Sequence, residues 1–257
     1  MIHYEMRGNG PLLLISESGE GDAGRSIDMA TVLAETHTVV TYDRRGLSRS
    51  VSSGGVGIAE HAEDVRELLD HLGRGPAVMV GCSMGAVIGL HVAASHPGLV
   101  STLVAHEPVA PWLLDSGDAH REQLGSLREL YREAGLAGAI RPIAASLGIV
   151  PGGDDAETGL TPQPMTPQRE ANFAYFIEHD FTAVQQDELD VSLLKASGTR
   201  IVPAVGRTTP KDVYVYRETL ALAEVLGAPV VEFPGGHNGN LTHPRAFAAQ
   251  ILATLTA

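Results

Sequence analysis

The sequence predicts an α/β fold in which helices flank a largely parallel β-sheet. Short apolar segments rich in β-branched residues alternate with longer segments of helical periodicity along most of the chain. One central stretch, residues 108–196, has helical patterns and no strand pattern. A length of 257 residues fits one main domain of this class with an inserted piece.

The chain opens with two strand patterns, IHYEM (2–6) and PLLLIS (11–16). They flank the turn sequence RGNG, which predicts a β-hairpin. A segment of helical periodicity near residues 26–35 then precedes a third strand pattern, THTVVTY (37–43).

The next elements alternate regularly. A helix is predicted over residues 58–73, because its apolar residues fall on one stripe. The strand PAVMVGC (76–82), a helix of small residues (84–95) and the strand VSTLVAHE (100–107) follow. Strands that are separated by helices imply right-handed crossovers and a parallel sheet.

The strands TRIVPAVG (199–206) and APVVEFPG (228–235), each followed by a helical segment, complete the sheet. The predicted domain organisation is a core formed by residues 1–107 and 197–257. Residues 108–196 are predicted to form a helical cap (lid) over the sheet edge.

Composition excludes several classes of function. The chain has 18 basic and 31 acidic residues and a net charge of −13, which disfavours nucleic acid and anionic membranes as partners. A single cysteine, Cys82, excludes an intrachain disulfide and a multi-cysteine metal site. With no targeting segment and no apolar run of about 20 residues, we expect a cytoplasmic protein with a small-molecule substrate, either monomer or homodimer.

A candidate nucleophile stands between a predicted strand and a predicted helix, where Gly81, Ser83 and Gly85 form the pattern GxSxG. Such a sharp turn strains the serine, and residues two positions away must lack side chains for the turn to close. The N–H of Met84 would then lie at the helix N-terminus and stabilise negative charge. The alternative is that these small residues only pack a helix against a strand.

His237 is the candidate base among eleven histidines. It follows the last predicted strand in EFPGGHNGNLTHP, where two glycines allow the chain to turn back toward the carboxyl edge of the sheet. The alternative is a histidine that only ends a loop. Several other histidines, His120 among them, fall in helical segments.

Three stretches, YDRRGLSRS (42–50), VGCSMGAV (80–87) and PGGHNGNLTHP (234–244), resemble the α/β-hydrolase family in their order and spacing. The resemblance covers essentially the whole chain. It implies an eight-stranded, mostly parallel sheet with a helical cap, a serine nucleophile, a histidine base and an acid that orients the histidine. Asp43, Arg44 and Arg45 resemble family residues that brace a neighbouring loop by ion pairing.

The acid departs from the commonest family pattern, an aspartate in GxxD after the penultimate strand. The matching residues are GRTT (206–209), and Thr209 cannot carry a charge. Glu107 ends the strand after the GxSxG helix, a position that some members use, and is the predicted acid. Asp212 is the alternative, although an aspartate there is also explained as a favourable charge at a helix N-terminus. A chain without an acid is the third possibility.

The oxyanion loop also departs from the pattern, because LLLISESGEGDAG (12–24) lacks the His-Gly of many relatives. Ser18 or Gly19 is expected to supply the second backbone donor beside Met84. A negative charge near a developing oxyanion opposes catalysis, so Glu17 and Glu20 are expected to point to solvent.

These residues predict acyl transfer on a carboxylic ester, lactone or thioester of a small, partly apolar molecule. Trp112, Phe173 and Phe176 of the cap are predicted to contact the substrate, unless they form the core of the cap. The alternative function is non-hydrolytic, a lyase, a cyclase or a small-molecule binder, and is favoured by the missing GxxD acid. No metal or cofactor is predicted, because no strand–GxGxxG–helix order and no convincing ligand cluster occurs.

Overall fold

The computed structural model describes residues 2–115, 117–150 and 156–256. The strands are β1 (Tyr4–Arg7), β2 (Leu12–Ser16), β3 (Thr38–Tyr42), β4 (Ala77–Cys82), β5 (Val100–His106), β6 (Arg200–Gly206) and β7 (Val231–Phe233). The helices are α1 (Ile27–Leu33), α2 (Ile58–Leu72), α3 (Met84–Ser95), α4 (Gly117–Ser146), α5 (Pro167–Tyr175), α6 (Phe181–Gln186), α7 (Val191–Ala196), α8 (Tyr214–Leu226), α9 (Gly239–Thr242) and α10 (Pro244–Thr256). A 3₁₀ turn, Pro111–Leu113, precedes α4, and a π-helical segment, Phe176–Asp180, joins α5 to α6. Within these ranges no helix is both long and apolar enough to cross a membrane.

The strands form one sheet in the order β1-β3-β2-β4-β5-β6-β7. All neighbouring pairs are parallel except β1 and β3. The predicted α/β class with a mostly parallel sheet is therefore confirmed. The described part of the chain contributes seven strands rather than the eight that the resemblance implies. The residue patterns by themselves predict seven.

The predicted hairpin of the first two strands is wrong. β3 lies between β1 and β2, antiparallel to β1 and parallel to β2. Gly8 and Gly10 in the connecting turn have φ values of 78° and 145°, and a Cβ on either would lie 2.3 Å from a backbone oxygen of the α1–β3 connection. The turn therefore packs tightly against that connection, and the chain passes β3 instead of folding back onto β1.

Helices cover both faces of the sheet. On one face α1 and α10 pack together and bury Met29, Leu33 and Phe247. On the other face α3 lies between α2, α7 and the strands β4 and β5. The residues of α3 from Met84 to Ala94 are all buried. This burial explains why α3 consists of small and apolar residues and carries no Asp, Glu, Lys or Arg.

The described residues between 108 and 196 form helices and connecting segments without a strand. The long α4 breaks at Gly135, whose φ of 66° and ψ of −175° are not helical. It contacts α5, the π-helical segment and α6. Ile143 of α4 and Val184 of α6 belong to the same apolar cluster as Met84. A cap over the sheet edge is consistent with this packing, and its boundaries remain a prediction.

Candidate active site

Ser83 lies at the sharp turn between β4 and α3, at the carboxyl end of a central strand. Its φ of 56° and ψ of −118° fall in a region that residues with a side chain rarely adopt. Its N–H donates to the carbonyl of His106 at 2.8 Å, and its own carbonyl accepts from the N–H of Ala86 at 3.0 Å. The neighbouring strand and the following helix therefore hold this strained conformation in place.

Gly81 and Gly85 are required by close backbone contacts. A Cβ on Gly81 would lie 2.5 Å from the carbonyl oxygen of Gly85. A Cβ on Gly85 would lie 2.1 Å from the carbonyl oxygen of Ser16, at the end of β2. A side chain at either position would therefore collide with the backbone, which is the reason that the GxSxG pattern suggests for its two glycines.

Glu107 and His237 form a buried pair beside this turn. Glu107 follows β5 with a φ of 45°, and no part of it is exposed to solvent. Its Oε2 lies 2.7 Å from Nδ1 of His237, and its Oε1 accepts the N–H of Gly206 at 2.8 Å. A carboxylate only accepts hydrogen bonds, so Nδ1 carries the proton and Nε2 of a neutral ring has a free lone pair. Nε2 has no hydrogen-bond partner among the described residues.

The surroundings of Glu107 keep it ionised. Burial raises the pKa of this carboxyl group, but the hydrogen bond from His237 and the nearby ring of His106 lower it more, to about 2. Glu107 is therefore negatively charged at neutral pH and can stabilise a proton gained by His237.

The structure does not bring the alternative acid to His237. Asp212 is exposed in the turn before α8, and no hydrogen bond or ion pair joins it to His237. Thr209, at the family's usual acid position, is buried in the turn after β6. A Cβ on Gly206 would lie 2.5 Å from the carbonyl carbon of Gly236, so Gly206 allows the His237 loop to approach β6 closely.

The proposed oxyanion loop lies beside Ser83, because Ser18 and Gly19 line the same cavity. Met84 is the first residue of α3, and its N–H is one of the helix donors without an intrahelical acceptor. The carbonyl of Gly19 accepts a hydrogen bond of 2.5 Å from Nη2 of Arg44. The same guanidinium contacts Asp180 of the π-helical segment at 2.5 Å. Arg44 thus links the loop to the cap helices.

The two neighbours of Arg44 also brace this region. Asp43 accepts the N–H of Ala23 at 2.9 Å and pairs with the guanidinium of Arg49. Arg45 pairs with Asp64 of α2. Ion pairing by residues 43–45 occurs as the resemblance implies.

The expectation that Glu17 and Glu20 point to solvent is wrong. Glu17 is buried, with Oε2 3.3 Å from Nδ2 of Asn240 and with Oε1 unpartnered. Burial raises the pKa of Glu17 to about 7. Glu20 accepts from Nη2 of Arg169 at 2.8 Å and lies 3.5 Å from Nη2 of Arg25. Contacts from α5, α9 and the segment before α1 enclose both glutamates, which the local sequence does not reveal.

Two cavities meet at Ser83. The inner cavity extends beneath the cap and is lined mainly by apolar side chains, including Val109, Leu124 and Phe181. The outer cavity also contacts His237. Phe176 lines both cavities.

The three aromatic residues predicted to contact a substrate differ in position. Phe176 lines both cavities and Phe173 lines the outer one. Trp112 lines neither of them. It packs against the apolar core, and its Nε1 donates to Asp187 at 2.9 Å. Its position fits the alternative that this ring packs in the core of the cap, and a contact between Trp112 and the substrate stays a prediction.

Several polar residues at these cavities are not among the predicted site residues, and three of them carry a histidine or arginine side chain. His120 lines the inner cavity, and Arg25 and Arg169 line the outer one. All three lie far along the chain from the GxSxG pattern, and no local motif marks them.

No metal site is evident within residues 2–115, 117–150 and 156–256, where no group of three or more His, Cys, Asp or Glu side chains could hold an ion. Cys82, next to Ser83, is buried. Burial raises the pKa of its thiol well above the usual value. A thiolate nucleophile at this position is therefore disfavoured.

Comparison with known proteins places these observations in a family. The model of the α/β hydrolase fold family matches residues 11–191. The uncharacterized hydrolase YraK of Bacillus subtilis (strain 168) is 32% identical over 259 residues, which cover 97% of this chain and 90% of that protein.

Solved structures show the same fold. A carboxylesterase structure from Nitrososphaera gargenis superposes with a TM-score of 0.74 at 20% identity, covering 99% of this chain and 93% of that one. The enol-lactonase from Burkholderia xenovorans LB400 superposes with a TM-score of 0.68 at 19% identity, covering 100% and 96%. The chain therefore belongs to the α/β-hydrolase fold family and is an enzyme of that family.

Proposed function

We propose that this enzyme hydrolyses a carboxylic ester, lactone or thioester by acyl transfer through Ser83. One observation carries the proposal: Nε2 of His237 is unpartnered and its ring shares a cavity with Ser83, while Nδ1 is bound to the ionised Glu107. The main support of the non-hydrolytic alternative is the missing GxxD acid, and the contact between Glu107 and His237 favours hydrolysis over it.

The reaction follows from this arrangement. His237 Nε2 accepts the proton of the Ser83 hydroxyl as Oγ attacks the substrate carbonyl. Glu107 holds the ring in the required tautomer and stabilises the imidazolium that forms. The imidazolium then protonates the leaving alcohol or thiol, and water, activated by the same nitrogen, releases the acyl group.

The tetrahedral intermediate carries negative charge on the former carbonyl oxygen. The N–H of Met84 and an N–H from Ser18 or Gly19 are the donors that we assign to it. Glu17 follows β2 directly, and its raised pKa reduces the negative charge beside these donors. The raised pKa of Glu17 therefore supports an oxyanion site beside a glutamate. The sequence alone does not reveal this pKa.

The substrate class is a small molecule with an apolar portion. The inner cavity is lined largely by apolar side chains and supports an apolar acyl or alcohol group. The enol-lactonase and carboxylesterase names of the structural relatives fit a carbonyl substrate. Fold similarity alone does not determine the ligand.

The first test is covalent labelling of Ser83. Intact mass is measured after treatment with a fluorophosphonate, on the wild type and on Ser83→Ala in parallel. We expect one adduct on the wild type and none on the variant, followed by turnover of members of an ester, lactone and thioester panel. An adduct that persists in Ser83→Ala, or a wild type that turns over none of the panel, would contradict the proposal.

A further inference from the structure

The inner cavity contains a polar side chain that the acyl-transfer mechanism does not use. His120 of α4 lines this cavity together with Ser83 and Met84. The other polar residue in the lining, Ser146, donates its hydroxyl proton to the carbonyl of Ile143 at 2.8 Å. His120 therefore provides the main polar contact in an otherwise apolar chamber.

Two contacts fix the imidazole ring of His120. Its Nδ1 lies 2.5 Å from Oε1 of Glu218, and the ring stacks on Tyr214 at 4.4 Å with the planes 5° apart. Glu218 is fully buried, and its Oε2 accepts the N–H of Ala110 at 3.0 Å. A carboxylate only accepts hydrogen bonds, so an ionised Glu218 requires the proton of this contact to lie on Nδ1 of His120.

The second ring nitrogen remains available. Nε2 is separated from Nδ1 by Cε1, and the one hydrogen bond between this ring and a described residue is made by Nδ1. Nε2 of His120 is also not among the buried ring nitrogens that lack a partner, a group that includes both nitrogens of His106 and Nε2 of His237. The ring is 97% buried and lines the cavity, so Nε2 is the ring nitrogen that can hydrogen-bond a group bound there.

We propose that His120 is a specificity-determining residue that hydrogen-bonds a hydroxyl group on the part of the substrate in the inner cavity. A hydroxyl both donates and accepts, so it suits Nε2 whether or not that nitrogen carries a proton. A wholly apolar group there leaves a desolvated nitrogen without a partner, which weakens transition-state binding. This inference rests on the proposed ester hydrolysis and names its substrate class.

The test compares matched esters that differ by one hydroxyl. Ethyl 3-hydroxybutyrate is compared with ethyl butyrate, and 3-hydroxybutyl acetate with butyl acetate, so the hydroxyl lies on either side of the ester bond. Acid release in a pH-stat gives kcat/KM for each. In at least one pair, we expect the wild type to prefer the hydroxylated ester by about tenfold.

The variants separate hydrogen bonding from packing. His120→Phe combined with Glu218→Gln keeps the ring stack and avoids a buried unpaired carboxylate, and we expect the preference to fall to about one. Glu218→Gln alone keeps the His120 ring, and its amide can pair with Nδ1 as acceptor or as donor; a hydroxyl suits Nε2 in either tautomer, so the preference should persist. Val184→Ala alters the shape of the same cavity without a polar change, and we expect it to retain the wild-type ratio.

The outcomes distinguish the two proposals. Ester turnover with no preference in either pair, or a preference that survives in the His120→Phe/Glu218→Gln protein, overturns the role of His120 and leaves ester hydrolysis intact. If the wild type hydrolyses none of these esters, calorimetric binding of the same four to Ser83→Ala decides. Tighter binding of a hydroxylated ester that depends on His120 supports the inference, and equal binding overturns it.

Discussion

Two buried carboxyl groups near Ser83 ionise in different pH ranges because their partners differ. Glu107 receives hydrogen bonds from a ring N–H and a backbone N–H, and its pKa falls to about 2. Glu17 has a weak contact with Asn240 and an unpartnered oxygen, and burial raises its pKa to about 7. The residue type is the same, and the local donors determine whether the pKa of the carboxyl group falls or rises.

Substitution of Glu107 by Gln tests its role as the acid. Gln retains an acceptor for Gly206 but cannot stabilise an imidazolium, so we expect kcat on p-nitrophenyl butyrate to fall by about 10³-fold or more. Asp212→Asn, at the exposed alternative position, is the matched control and should change kcat less than twofold. A large loss in Asp212→Asn with normal turnover in Glu107→Gln would reverse the assignment.

Substitution of Glu17 by Gln should stabilise the protein in a pH-dependent way. The folded-state pKa is raised from 4.5 to about 7, so ionisation costs folding free energy progressively between these values and by a constant amount above them. The shift corresponds to a gain on the order of 3 kcal/mol for the variant at pH 8 and close to none at pH 4. Urea unfolding of both proteins at several pH values measures this difference, and a gain that does not depend on pH would contradict the predicted charge state.

The sequence predicts only some of the residues at the candidate active site, and the reason is physical. Ser83, His237 and Glu107 each follow a strand of a parallel sheet, and such strands place their carboxyl ends at one edge. The burial of Glu17 and the pairing of His120 with Glu218 depend on α8 and α9, which are distant in sequence. No local pattern encodes those contacts.

The position of each strand along the chain was easier to predict than the strands that lie beside it in the sheet. Apolar periodicity located the strands, because their side chains must be buried. It carried no information on which strand lies beside which, so β1 and β2 were expected to pair although β3 separates them. The turn between β4 and α3 was predictable because only glycine fits its contacts with the end of β2.

Gly85→Ala tests that turn. The added Cβ would lie 2.1 Å from the carbonyl oxygen of Ser16, so the backbone must shift. We expect at least about 2 kcal/mol of destabilisation in urea unfolding, with loss of fluorophosphonate labelling. Gly54→Ala is the control, because a Cβ there meets no atom within 4 Å. Equal stability and equal labelling of the two variants would contradict the packing argument.

For the whole molecule, a buried ion pair joins the segment that carries Phe176 to the sheet. Arg44 follows β3 and Asp180 ends the π-helical segment, and both side chains are almost fully buried. His61 of α2 lies 3.6 Å from the other oxygen of Asp180. The pair therefore connects the helices over the cavity to the loop that contains Gly19.

Asp180→Asn should be far more harmful than a change at a surface ion pair. It leaves the guanidinium of Arg44 buried without its counter-ion, which costs about 3–5 kcal/mol. Glu178→Gln, in the same segment, removes an exposed contact with Arg132 and should cost less than about 1 kcal/mol. Urea unfolding compares the two variants, and equal costs would show that the buried pair has little energetic importance.

The five-residue π-helical segment also determines how the cap can vary. Phe176 at its start faces both cavities, and Asp180 at its end reaches Arg44. A π-helical turn holds about one residue more than an α-helical turn, so deletion of one residue would convert the segment to regular α-helix and leave the orientation of α6 nearly unchanged. Phe181 and Val184 of α6 would keep facing the inner cavity, whereas the direction of Phe176 relative to Asp180 would change. The extra residue thus relates the cavity lining at Phe176 to the ion pair with Arg44, so a change in chain length here can alter the chamber next to Ser83 without any substitution in the lining.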